Sequence, residues 1–239
     1  MPGLALDRFD ALTFDCYGTL IDWERGILDA LHRALPALER SDDELLEAFA
    51  RHEASLERGP YRPYREVLGL TLQAIASDED ASLAEDASLA AAQFGGSVVD
   101  WPAFPDSAAA LADLAARFRL GVITNCDDDL FAASERRLGL RFDEVVTAQQ
   151  AHRYKPNPRG FELMFERLGL PTSRILHVAQ SLYHDHVPAK RLGLSTVWVN
   201  RRAGRAGAGA TPPASARPDL EVPDMRTLAE LAIAALPRP

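Results

Sequence analysis

Five short apolar runs constrain the fold of this chain more than any other feature of it. They are Ala11-Leu12-Thr13-Phe14, Leu120-Gly121-Val122-Ile123, Val145-Val146-Thr147, Ile175-Leu176-His177-Val178-Ala179 and Ser195-Thr196-Val197-Trp198-Val199. They are rich in β-branched residues and do not alternate apolar with polar, as expected of parallel strands buried on both faces. Between them lie amphipathic segments, Ala108 to Phe118, Leu130 to Leu138 and Phe161 to Leu168; Gly139 and Gly169 follow the last two as C-terminal stops. Strand alternating with helix predicts an α/β fold built on a doubly wound parallel sheet. A last strand and helix over Leu220 to Leu236 closes the chain. Ligands in this architecture sit at the carboxyl ends of the strands, so Asp15, Thr124, Asn125 and Gln180, which close three of the runs, are expected to share one rim.

The stretch from Asp22 to Gly96 breaks the alternation. Its apolar residues recur at helical spacing: Ile27, Leu31 and Leu35; Leu45, Phe49, His52 and Leu56; Val67, Leu70 and Ala74; then Leu83 to Phe94. It reads as a helical insertion, a cap over residues 22–96 on a core of residues 1–21 and 97–239. Its middle, Arg58-Gly59-Pro60-Tyr61-Arg62-Pro63-Tyr64-Arg65, is a loop rich in arginine and tyrosine, and the Gly, Ala, Pro and Arg-rich tract Arg201 to Pro218 is expected to be a mobile surface loop. A 47% hydrophobic composition excludes disorder for the bulk of the chain, and a net charge of -9 argues against nucleic-acid binding. No apolar stretch approaches the ~20 residues that span a bilayer, and the N-terminus lacks a basic segment followed by a long apolar one. Cys16 and Cys126 form no disulfide framework and fit a reducing compartment. The expectation is a soluble cytoplasmic protein acting on a small molecule, away from membranes and nucleic acid, with an exposed apolar face that could support a homodimer.

Four polar sites carry candidate chemistry. Asp15-Cys16-Tyr17-Gly18-Thr19 leaves the first strand, where a carboxylate can act as a nucleophile or simply cap a turn; Gly18 suits a tight turn and Thr19 can hydrogen-bond the aspartate. Thr124-Asn125 offers a hydroxyl and an amide to an anion, and the acidic triplet Asp127-Asp128-Asp129 behind it reads as a helix N-cap and first turn. Lys155, in Arg153-Tyr154-Lys155-Pro156-Asn157-Pro158, is either a surface lysine or a partner for Asp15. Gln180-Ser181-Leu182-Tyr183-His184-Asp185 exits the fourth strand, with Asp185 beginning the next helix and His184 read as an exposed residue at its start.

Taken in order, these sites resemble the four signatures of the haloacid dehalogenase-like superfamily, and the resemblance covers nearly the whole chain, cap included. It implies a Rossmann-like core with Asp15 as nucleophile. Most members of that superfamily are phosphatases with an aspartate two residues after the nucleophile and an acidic magnesium ligand at the fourth strand end. Here those positions are Tyr17 and Gln180. The pattern Asp-x-Tyr-Gly-Thr is similar to the L-2-haloacid dehalogenase branch, which implies no metal. The resemblance assigns Asp15 to attack on the halogen-bearing carbon of a short 2-haloalkanoic acid, giving an aspartyl ester that water hydrolyses. It implies that Lys155 holds Asp15 ionised, that Asp185 orients Lys155 or the water, and that Thr19 supports Asp15. Thr124, with Tyr17, Gln180 and Ser181 nearby, would bind the substrate, and Asn125 with a cap arginine would receive the halide.

Arg51 fits that arginine best, with Arg62 and Arg65 as rivals. The fourth motif departs from the branch: it usually reads Ser-x-Asn followed by Asp, whereas this chain has Gln180-Ser181-Leu182 and one extra residue before Asp185, and Phe161 stands where a tyrosine is usual. Two alternatives stay open: a magnesium-dependent small-molecule phosphatase holding the metal with Asp15, Asp185 and Gln180, and a non-catalytic member that binds a carboxylate.

Overall fold

A computed structural model of the chain describes residues 4–205 and 209–235. Six strands form one parallel sheet in the order β3-β2-β1-β4-β5-β6: β1 Ala11–Phe14, β2 Arg119–Thr124, β3 Glu144–Thr147, β4 Ile175–Ala179, β5 Ser195–Val199 and β6 Leu220–Val222. The five runs read as strands are all strands, and every neighbouring pair is parallel. The order reverses at β1, so the crevice at the carboxyl ends of β1, β2 and β4 is where ligands of such sheets bind.

The helices are α1 Trp23–Ala34, α2 Asp42–Glu57, α3 Tyr64–Asp78, α4 Ala87–Gly96, α5 Ser107–Ala115, α6 Asp128–Leu138, α7 Ala148–Ala151, α8 Arg159–Leu168, α9 Val187–Arg191 and α10 Met225–Ala234. Helices α6 and α8 end at Gly139 and Gly169, the stops expected. Residues of α8 and α9, with Phe161, Met164 and Ala189 at the centre, cover one face of the sheet. The other face belongs to a larger apolar cluster that runs without a break from Phe14, Leu111 and Leu228 into α1–α4 through Tyr17, Ile21, Trp101, Ile27, Phe49, Leu68 and Phe94.

All four helices of the 22–96 stretch form, and the starts of α1, α2 and α4 follow from local capping. Ser41 and Glu44 make a capping box on α2, and Asp22 and Asp86 accept backbone N–H groups of α1 and α4. The run Leu83 to Phe94 is helical only from Ala87, where Asp86 supplies the cap. The buried stripe of α2 also differs from the expected one: it runs Leu45, Phe49, Glu53, whereas His52 and Leu56 are half-buried.

The tract Arg201 to Pro218 is corrected in part. Arg201 lies against the body of the protein, donating to Asp106 at 2.8 Å and to the carbonyl of Thr19, and Ala210 is fully buried. Residues 206–208 of that tract, and the Leu236 end of the last helix, lie outside the described residues.

Helix α1 approaches the sheet layer through Gly26, where a Cβ would lie 2.3 Å from the indole of Trp101. That indole in turn meets the ring of Tyr17 edge-on, with centroids 5.5 Å apart. Alanine in a helix interior normally gains roughly 0.5–1 kcal/mol over glycine. Here overpacking, worth about 1–3 kcal/mol, wins, so Gly26→Ala is expected to lower the urea midpoint with an unchanged m-value. An equal or higher midpoint would show that Trp101 yields without cost.

Candidate active site

The site forms where β1, β2 and β4 end. Asp15 follows β1, and the turn after it needs Gly18, whose φ is +92° and whose missing Cβ would sit 2.8 Å from Trp23 Nε1. Thr19 Oγ1 donates to Asp15 Oδ2 at 2.7 Å and accepts the backbone N–H of Gln180 at 2.9 Å, which ties the β1 exit to the β4 exit. Lys155 arrives from the segment before α8 and is buried. Its ammonium uses all three donors, on Asp15 Oδ1 at 2.8 Å, on Asp185 Oδ1 at 2.7 Å and on the carbonyl of Ile123 in β2 at 2.8 Å. Asp185 Oδ1 is also 3.0 Å from His177 Nε2, and His177 Nδ1 is 2.9 Å from Thr13 Oγ1, so β4 and β1 both brace that carboxylate.

Burial dominates the electrostatics. It lifts Asp15 above the ordinary carboxylate range, the nearby Asp185 adds to the lift, and Lys155 and Thr19 pull it back. Burial works against the Lys155 charge, but its two carboxylate partners outweigh that and leave its pKa raised. Asp185 is held well below the usual range because Lys155 and His177 outweigh its burial.

The other expected residues divide sharply. Asn125 serves Lys155: its Oδ1 accepts the Lys155 backbone N–H at 2.7 Å and its Nδ2 donates to the Lys155 carbonyl at 3.1 Å. The Thr124 and Gln180 side chains are close by, and their Oγ1 and Oε1 are buried without partners. The Tyr17 ring lines the cavity over Asp15, but its hydroxyl meets Ser134 Oγ at 3.0 Å and accepts from Cys126 Sγ. Ser181 caps the turn Leu182–His186 and contacts His184 Nδ1. His184 is buried against the cavity, not exposed as expected, and burial lowers its pKa to about 4.

None of the three arginines reaches the site. Arg51 is exposed and pairs with Asp78, Arg62 pairs with Glu66, and Arg65 pairs with Asp127 and Asp129. Asp127 does not cap its own helix. Its carboxylate accepts the backbone N–H groups of Tyr64 and Arg65 and so caps α3, which begins after Pro63 and has no side-chain cap of its own.

Two residues that line the site escaped the sequence reading. Glu53 and Glu57 of α2 line the same cavity as Asp15, Lys155, Asp185 and His184, together with the rings of Tyr17, Trp23 and Tyr64. Tyr64 donates to Glu53 at 2.7 Å, Asn125 Nδ2 lies 3.3 Å from Glu57, and His184 Nε2 is 3.7 Å from Glu57. Burial raises Glu53 to about 8 and Glu57 well above its ordinary value. The signal was present: Glu53 stands four residues after Phe49 and eight after Leu45, on the stripe that a helix buries.

A parallel α/β enzyme with an ion-paired aspartate at the sheet's switch point is the class that this fold and site define. The chain belongs to the haloacid dehalogenase-like hydrolases, whose family model matches residues 9–192. It is 28% identical over 204 residues to an (S)-2-haloacid dehalogenase of Xanthobacter autotrophicus, covering 82% of this chain and 77% of the relative. It is also 28% identical, over 95% of both chains, to an (S)-2-haloacid dehalogenase of Pseudomonas sp. strain YL. The solved structure of the Xanthobacter autotrophicus L-2-haloacid dehalogenase with chloropropionic acid covalently bound superposes with a TM-score of 0.76 at 23% identity, covering 94% and 98% of the two chains, a likeness of fold.

The buried acids and histidines make stability depend on pH with opposite signs. Glu53, raised from 4.5 to about 8, keeps a proton in the folded state that the unfolded chain has released, so its contribution is lost as pH rises toward 8. His184 and His186, lowered from 6.5 to about 4, contribute stability that is lost as pH falls below 6.5. From pH 6.5 to 8 the acids therefore control the slope, at ~1.4 kcal/mol per pH unit and group. The melting temperature is expected to fall across that window in differential scanning fluorimetry, and Glu53→Gln is expected to flatten it. An unchanged slope in the variant would show that Glu53 is not protonated there.

Proposed function

We propose that this hydrolase displaces halide from a saturated carbon of a short organic halide with Asp15 as nucleophile, through a covalent aspartyl ester and without a metal. The observation that carries the reading is the Lys155 ammonium seated between Asp15 and Asp185 at the switch point. In the first step a carboxylate oxygen of Asp15 bonds to the carbon as the halide leaves with the C–X electron pair. Halide needs no proton, so the absence of an acid at Tyr17 costs the reaction nothing. Lys155 and Thr19 hold the carboxylate ionised and aimed. In the second step water attacks the ester carbonyl of Asp15, and neutral His184, whose Nε2 has no hydrogen-bond partner, faces the same cavity and takes the proton. As the acyl–oxygen bond breaks, His184 returns that proton to the departing alkoxide oxygen, the alcohol leaves, the second proton of the water passes to solvent, and the Asp15 carboxylate is restored.

Residues 22–96 act in this reading as the cap that excludes water from the cavity over the core of residues 1–21 and 97–239. The phosphatase alternative needs a divalent cation held by Asp15 and Asp185 with Gln180. That donor set leaves Asp185 Oδ2 and Gln180 Oε1 buried without partners, but Gln180 brings no charge where a phosphatase has a carboxylate ligand, and Tyr17 supplies no acid for the leaving group. The 2-haloalkanoic acids named by the relatives are the first substrates to assay, although no arginine lines the cavity among the described residues.

Halide release from a panel holding 2-chloropropionate, 2-chloropropionamide and 3-chloropropylammonium, assayed with EDTA, is expected for at least one member. It should fall by at least a thousandfold in Asp15→Asn, and one turnover should add the substrate's carbon fragment to Asp15 in a peptide mass map. Loss of release with EDTA, or phosphate release from esters with magnesium alone, would sink the proposal.

A further inference from the structure

The two buried glutamates over Asp15 have no part in the displacement just described, yet they form much of the wall that a substrate must face. The cavity is small, about 30 Å³, and both glutamates line it beside Asp15 and Lys155. Its charges are unbalanced. Among the described residues Lys155 is the lone cation on the lining, and it is already shared by Asp15 and Asp185, which leaves one negative charge before Glu53 and Glu57 are counted. A carboxylate substrate would add a second negative charge beside them with no cation to meet it, in a space where water cannot screen the pair.

The donors aimed at the glutamates are two neutral groups, the Tyr64 hydroxyl on Glu53 and the Asn125 amide on Glu57, and His184 Nε2 stands beside Glu57 without a hydrogen-bond partner. Three aromatic rings, of Tyr17, Trp23 and Tyr64, complete the wall. Buried carboxylates among aromatic faces are the chemistry that recognises an ammonium group, by ion pairing and by cation–π attraction.

Resting on the Asp15 reading, we propose that the substrate of this chain is a short organic halide that carries an ammonium group, bound between Glu53, Glu57 and the Trp23 and Tyr64 rings while its halogen-bearing carbon faces Asp15. Binding such a cation gives the glutamates the partner that they lack. Their protons, held in the free enzyme by burial, then leave to solvent. The outer cleft of about 530 Å³ reaches the cavity past Glu57 and Lys155, and its Arg58 and Arg153 are exposed, so solvent and salt screen them from an entering cation.

Titration calorimetry of the wild-type protein with propylammonium and with propionate, at pH 7 in two buffers of different ionisation enthalpy, tests this. Propylammonium is expected to bind at least tenfold more tightly than propionate and to release a proton. Glu57→Gln and Glu53→Gln, neutral isosteres of the protonated acids, are each expected to weaken propylammonium binding at least tenfold and to reduce the proton release. Propionate binding as tightly as propylammonium, propylammonium binding without proton release, or no propylammonium binding would each overturn the proposal. The halide assay separates this failure from that of the Asp15 reading. Release from 2-chloropropionate by an enzyme that does not bind propylammonium keeps Asp15 as nucleophile and removes the ammonium site. Propylammonium binding by an enzyme that frees no halide from any panel member does the reverse.

Discussion

The Lys155 ammonium joins parts of the chain that meet nowhere else. Asp15 is 140 residues before it, Asp185 is 30 after it, and the Ile123 carbonyl belongs to the central strand β2. Burial works against the charge of this lysine and its two carboxylates sustain it, and breaking a buried pair costs on the order of 3–5 kcal/mol. The arrangement therefore requires that β1, β2 and β4 stop at one level, which the parallel registers Phe14 with Val122 and Phe14 with Val178 provide. Asn125 adds the remaining constraint by gripping the backbone of Lys155 on both sides. The residue expected to receive a leaving group is thus occupied in holding the lysine loop against the sheet.

The same burial that makes this centre strict makes its surroundings unusual. Carboxyl groups on a buried helix face are rare unless something meets them. On α2 that something is a hydroxyl and an amide, and burial keeps the acids protonated beside them. A halide or carboxylate and an ammonium group ask opposite things of such a wall. The chain holds Asp15, Lys155 and Asp185 together while placing acids where an anion-binding site would want a cation. Family membership therefore speaks to the reaction more directly than to the substrate.

The core was legible because its signals are local. Strands buried on both faces appear as unbroken apolar runs, and a residue that ends such a run lies on the ligand-binding rim whatever its identity, which is how Asp15 and Asn125 could be placed. The pairing of Lys155 with Asp15 was open as one of two readings, since only the assembled sheet settles whether a lysine before α8 points inward. The helices between β1 and β2 were legible as helices but not in their facing. The stripe through His52 and Leu56 looked correct because both are spaced helically from Phe49. The observed stripe instead passes through Glu53, a residue that hydrophobicity alone assigns to solvent. His177 was hidden for the converse reason: inside an apolar run, nothing local reveals that both ring nitrogens have polar partners on neighbouring elements.

The arginines show the limit of reading by spacing. Each of Arg51, Arg62 and Arg65 is plausible as a cap residue; Arg62 is consumed by Glu66 four residues on, and Arg51 and Arg65 by acids that the linear order does not bring near them. Arg65 is the instructive case. Pro63 leaves α3 without a side chain to satisfy its first N–H groups, so Asp127, at the exit of β2, supplies both oxygens to Tyr64 and Arg65. Arg65 then closes over the same carboxylate and over Asp129. The acidic triplet does open α6, as its N-cap position and first turn, and through Asp127 and Asp129 it also clamps the start of α3. It fixes Tyr64 at the one place from which its hydroxyl reaches Glu53. The wall over Asp15 is thus set by a helix cap lent from the sheet, so α3 and the β2 exit cannot shift independently without unsatisfying buried groups on both.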